Sequence, residues 1–202
     1  MAVPARLLAT RLPSVRARYM QTFAEHVERL PPSDRDAIRA AAPEGTWEAI
    51  DSAGLLGWLP LTTNLECTRA VANQLGTERT HRFFRSLLLD TSNTPLLRGL
   101  VQSVLRVAVQ DPGLYLPWIA KGFQLMFRDA GRWNFTERGP GTAVLEVRGL
   151  PTECFTDSLW AESLASSLCA LLDLTQLEGN ITVRSIEPEA ALLTFRGRWK
   201  GR

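Results

Sequence analysis

From Arg132 to Arg202 the chain reads as strand, strand, helix, strand, strand, and no other stretch limits its fold so strongly. Trp133 and Phe135 alternate with Asn134 and Thr136, the period of a strand with one buried face. A turn with Gly139, Pro140 and Gly141 follows, and alternation resumes with Ala143, Leu145 and Val147 on one side. Two such runs across a short glycine-bearing loop predict a hairpin. Thr156 or Asp157 is placed to cap a helix that carries Trp160, Leu164, Leu168, Leu171 and Leu172, separated by alanines and serines. Small residues let that helix lie close to a sheet. Gly179-Asn180 offers an exit. Ile181 and Val183, and then Leu193, Phe195 and Trp199, predict a second strand pair around the turn Glu187-Pro188-Glu189.

The preceding part of the chain is helical in pattern. Apolar positions from Leu7 to Leu30 fall near helical spacing, with a break at Pro13. Ser33 or Asp34 starts a short helix through Ala42, and another lies between Thr46 and Trp58. The stretch Trp58-Leu59-Pro60-Leu61 reads as apolar and irregular. Thr62 or Thr63 opens a helix closed by Gly76, and Thr77 caps the next, with Phe83 and Phe84 along it. Two further helices are expected, from Pro95 to Val109 and from Tyr115 to Arg128.

Composition narrows the function classes. The 202 residues suffice for one domain with a real core. Net charge is +2 and no basic tract stands out, so nucleic acid is not an expected partner. The odd number of widely spaced cysteines, Cys67, Cys154 and Cys169, argues against a disulfide framework and for a reducing, cytoplasmic compartment. No apolar run approaches the roughly 20 residues of a membrane helix, so no membrane insertion is expected. Met1 to Ala24 carries four arginines and no acid, which fits a helix with a basic face better than an organelle transit segment.

No catalytic or metal constellation emerges. His26 lies among charges and reads as a solvated helix residue; His81 reads as a partly exposed one. The cysteines lack metal spacing; Cys169 reads as core, and Cys67 either packs, the reading its setting favours, or faces a pocket. Nothing pairs Glu137, Glu146, Glu187 or Glu189 for acid–base work. The aromatic residues leave two readings open. Trp118, Phe123, Phe127, Trp133 and Phe135, with Trp160 and Leu164 on the small-residue helix, are candidates to line an apolar ligand pocket. The same spacing also suits a filled core.

Several phrases occur in a fixed order: Leu30-Pro31-Pro32-Ser33-Asp34-Arg35, Gly54 to Pro60, Leu75-Gly76 before Phe83-Phe84, Phe127 to Gly131, and a closing Arg198-Trp199. In this the chain resembles DUF2378-type proteins of myxobacteria. These are similar to a wider superfamily of vinyl-reductase-type domains, haem NO-binding domains and small TRAPP core subunits. The resemblance implies helices on one side of a four-stranded antiparallel sheet, frequent homodimers, and a pocket or tunnel between helices and sheet that holds a hydrophobic ligand in some members; it does not imply an enzyme. Haem NO-binding domains ligate iron through a helix histidine followed by a Tyr-Ser-Arg phrase, and this sequence has no such phrase. Cysteines near the last hairpin, common in vinyl-reductase-type domains, are also missing between Val183 and Phe195.

The expectation is an α+β fold: an N-terminal helical layer on a four-stranded antiparallel sheet, with residues 1–45 as a helical extension and 46–202 as the domain. The expected role is a non-enzymatic sensor or adaptor in bacterial signalling that binds a small apolar ligand, a partner protein, or both. It is expected as a homodimer with no cofactor and no metal. A structural subunit without ligand and a haem-based gas sensor are the alternatives.

Overall fold

A computed structural model of the chain describes residues 12–95, 97–99, 101–103, 116–139 and 141–200, apart from the side chains of 116–119 and 136–138. The sequence before residue 12 and most of the helix expected from Pro95 lie outside this set.

The C-terminal third folds as the alternation predicts. Strands β4 (Arg132–Gly139), β5 (Thr142–Arg148), β6 (Glu178–Glu187) and β7 (Leu192–Lys200) form an antiparallel sheet in the order β4-β5-β7-β6. Closing strand β7 is central, pairing Phe195 with Leu145 on one side and Val183 on the other. Ala143, Leu145, Val147, Leu193 and Phe195 all point into the core. Two register shifts, at Phe135/Glu137 and Val183/Ser185, interrupt the ladders of the edge strands β4 and β6. Bulges of this kind bend a strand and blunt an exposed edge.

The helix between the strand pairs runs Leu159–Leu174 (α6 in chain order), with α1 at Ala17–Glu28, α2 at Pro32–Ala41, α3 at Thr46–Ser52, α4 at Leu61–Ser92 and α5 at Leu116–Met126. Asp157 sets its start, accepting the Leu159 N–H at 3.0 Å. Its exit is Gln176, at φ 56, and Gly179-Asn180 already belongs to β6. The buried Ala161, Ala165, Ser166, Ser167 and Ala170 let α6 press between α4 and β6. Arg69 pairs with Asp157 at 2.5 Å near the start of both helices, and Arg85 takes both oxygens of Asp173 further on. Both pairs span 88 residues, so α4 and α6 run parallel at a fixed offset.

The span α4 is two helical segments joined at a kink: Gly76 sits at φ 69, ψ 171 and interrupts the helix where the sequence predicts a stop. The stretch expected to be irregular is ordered: Trp58–Pro60 is strand β2, which pairs with β1 (Ser14–Arg16), and β1 pairs with β3 (Phe127–Arg128). This small β2-β1-β3 sheet has strands of only two or three residues, too short for any periodicity to announce. Residues Val15 to Ile38 share one contiguous core with α4, α6 and the sheet.

Candidate functional site

Aromatic side chains gather where α5 and β3 meet the four-stranded sheet. Phe123 of α5 stacks on Trp133 of β4 with centroids 4.0 Å apart and planes 15° from parallel. Trp133 lies parallel to Phe195 of β7 at 6.1 Å. Phe127 stacks on Phe123 at 5.8 Å, meets Tyr19 of α1 edge-on at 5.7 Å, and meets Trp160 of α6 at right angles. Offset and edge-to-face contacts satisfy the ring quadrupoles and each contributes about 0.5–1.5 kcal/mol beyond burial. One cluster therefore touches α1, α5, α6, β3, β4 and β7.

Among the seven residues singled out from sequence, Phe123, Phe127, Trp133 and Trp160 belong to this cluster. Phe135 lies two residues along β4 from Trp133 and is half-buried against the core. Leu164 is buried on α6, one turn beyond Trp160. The side chain of Trp118 lies outside the described residues. Tyr19 and Phe195 complete the cluster and were not singled out. Phe195 is legible as core from the inward alternation of β7 and Tyr19 from the helical spacing of the apolar positions between Leu7 and Leu30, but neither pattern tells which rings they meet.

Beneath the cluster the only polar bond at the Trp160 indole is internal: Nε1 donates to Asn64 Oδ1 at 2.9 Å. Asn64 is 2% exposed and its amide nitrogen points at Met20 Sδ, 3.5 Å away.

Among the surface grooves of the described residues, two hold the histidines. One, of about 470 Å³, runs between α4, α6 and β6 and is lined by His81, Arg85, Glu162, Ser166, Cys169 and Asn180 among others. Ser166 Oγ donates to the Glu162 carbonyl at 2.7 Å, so His81 Nδ1 must donate to Ser166. A ring that donates to the hydroxyl cannot take its proton, and the pair is not a nucleophile and base. The second groove, of about 410 Å³, has Leu30, Leu75 and Phe83 in its floor and His26 beside them.

His26 corrects the sequence reading. It is buried, not solvated, because it falls three residues after Phe23 on the inward face of α1. Its Nε2 lies 3.0 Å from Ser86 Oγ, its Nδ1 lies 3.4 Å from Asp90, and its ring meets Phe83 edge-on. Burial holds its pKa below the ordinary value, against the opposing pull of Asp90. The three cysteines are buried, and burial pushes the Cys67 and Cys154 thiols up to about 12 each. Thiols held protonated in this way are poor nucleophiles. Among the described residues, no group of three His, Cys, Asp or Glu side chains could hold a metal, and no helix is long and apolar enough to cross a membrane.

No protein-family model matches the chain, and no curated protein matches it. Solved structures do. A crystal structure of the Fe(II) unliganded H-NOX protein from K. algicida superposes over 93% of this chain and 97% of its own, with TM-score 0.58 and 6% identity. An oxygen-binding H-NOX domain related to soluble guanylate cyclases superposes over 92% and 95%, with TM-score 0.53 and 10% identity.

The haem that this fold carries elsewhere can be tested against the residues present. A histidine-held haem needs a ring nitrogen facing an apolar cavity. The chain has two histidines. His26 is held between Ser86 and Asp90, and His81 is bonded to Ser166 in a polar groove. Neither reaches the aromatic cluster, so the residues do not fit a histidine-ligated haem. At 6% to 12% identity the likeness is one of fold: the chain has the α+β architecture of H-NOX domains.

Proposed function

We propose that this chain is a non-enzymatic sensor module. A small apolar ligand enters between the helical layer and the four-stranded sheet, and a partner protein in bacterial signalling reads the resulting shift of helices. The Phe123–Trp133 stack carries this reading, because it packs α5 directly against β4 of the sheet. A ligand inserted there separates α5 from β4, and the balance of the two states follows its unequal affinity for them. The unit from residue 46 onward would hold the ligand, and helices would form a homodimer. The ordered phrases from Leu30 to Trp199 support a DUF2378-type assignment.

A haem-based gas sensor is the second reading. Its structural neighbours favour it, since they include an Fe(II) H-NOX protein, an oxygen-binding H-NOX domain and an H-NOX protein probed for haem distortion. The placement of both histidines stands against it. Absorption spectroscopy of the purified chain, before and after addition of haemin, separates the two. The sensor reading predicts no Soret band beyond that of free haemin. A sharp band that moves on reduction would replace it with the haem reading.

A further inference from the structure

The chain turns back between α3 and β2 through Gly54-Leu55-Leu56-Gly57, closed by the Gly57 N–H donating to the Gly54 carbonyl at 2.7 Å. The two corner positions hold Leu55 and Leu56, which are 63% and 83% exposed. Such corners ordinarily take Gly, Pro, Asn, Asp or Ser, which suit the bent backbone and meet water. Two leucines here contribute little to the core, and their side chains stand in solvent.

Two cations stand beside this tip, Arg16 at the turn itself and Arg128 over the neighbouring Trp58 ring. Arg16 Nη1 donates to the Leu56 carbonyl at 2.9 Å and Nε to the Leu125 carbonyl at 3.4 Å. Leu125, itself 37% exposed, is thus within the span of one guanidinium from the turn. Arg16 also lies over the Trp58 ring at 3.8 Å, and Arg128 approaches the same ring at 4.6 Å. Arg16 has no carboxylate partner among the described residues. Among the described residues the acid nearest Arg128 is Asp129, at 3.9 Å, and the Arg128 Nε is buried without a hydrogen bond. Most other arginines near a helix are paired with acids at closer range, as Arg29, Arg39 and Arg69 are.

We propose that this patch docks the chain onto an anionic lipid surface. A protruding two-residue turn offers a point, whereas a stable protein contact needs a matched face of about 800 Å² on each partner. A bilayer closes around a point. Leucines at the tip enter the headgroup layer, the Trp58 ring lies at its level, and Arg16 and Arg128 meet lipid phosphates. The contact is peripheral, since no described helix can span a membrane. It does not depend on what fills the interior.

Sedimentation of the full chain with vesicles tests it, using phosphatidylcholine alone and phosphatidylcholine mixed with phosphatidylglycerol. The chain should pellet with the mixed vesicles, and less so as salt screens the arginines. Leu55→Ser combined with Leu56→Ser should weaken binding about tenfold or more, from the lost apolar insertion. Thermal unfolding should stay unchanged, because both side chains already lie in water. Failure of the wild-type chain to pellet with either vesicle would overturn the proposal, as would a double variant that pellets like wild type. A leucine-dependent self-association in vesicle-free solution, without pelleting, would assign the patch to a second copy instead.

Discussion

The Trp160 indole N–H donates to Asn64 Oδ1 at 2.9 Å across 96 positions of sequence, fastening α6 to α4 inside the protein. Both residues are nearly solvent-free. A buried donor that loses its acceptor bears its full desolvation cost. Asn64→Ala should therefore destabilise the fold by about 1–3 kcal/mol, read by urea unfolding. Trp160→Phe removes the donor with the acceptor left in place and should cost a similar amount.

Phe123→Ala should be more damaging. It takes a ring from between Trp133 and Phe127 and leaves a cavity at the foot of α5. The expected loss is about 3–5 kcal/mol, and Phe123→Leu should recover much of it. If the sheet and helices close over the gap without cost, this contact does not hold α5 in place.

The Gly76 break tests conformation without crowding. Its φ of 69 and ψ of 171 lie in a region open almost only to glycine, yet a methyl group there would meet nothing within 4 Å. Gly76→Ala should cost about 1–3 kcal/mol through backbone strain alone. Thermal unfolding reads it directly, and an unchanged midpoint would show that α4 straightens freely.

Acid should loosen the α1–α4 contact. His26 is held neutral by burial, with its folded pKa below the ordinary 6.5. Below 6.5 the unfolded chain takes up a proton that the folded chain resists, so the unfolded state binds more protons. Stability should fall as the pH drops through about 6.5 and level off once the folded ring also protonates. His26→Gln should flatten that part of the profile in denaturant titrations at successive pH values. Asp34 adds a separate decline at lower pH, because hydrogen bonds from Arg79 and then Gln74 hold its carboxyl below the ordinary range.

The sheet was readable because period-two alternation is a direct imprint of a half-buried strand. Leu145, Val147, Leu193 and Phe195 each face the core as their spacing predicts. The Gly76 break was readable because glycine punctuates a helix wherever the chain needs positive φ. The small β2-β1-β3 sheet was not, since three paired residues such as Ser14 to Arg16 carry no period. His26 reads as solvated because Glu25 and Glu28 flank it in sequence; both of these are exposed, whereas His26 itself turns inward. The aromatic cluster was half legible: helical spacing marks Phe123 and Phe127, whereas only the fold brings Tyr19 and Phe195 to them.

Native mass spectrometry of freshly purified protein, beside a denatured aliquot, addresses the central claim most directly. A small-molecule sensor predicts a mass excess on the folded chain that disappears on denaturation, with an apolar compound recovered from the released fraction. A folded chain at its sequence mass, whose melting temperature no apolar compound raises, would contradict the ligand reading and leave a structural subunit with a filled core.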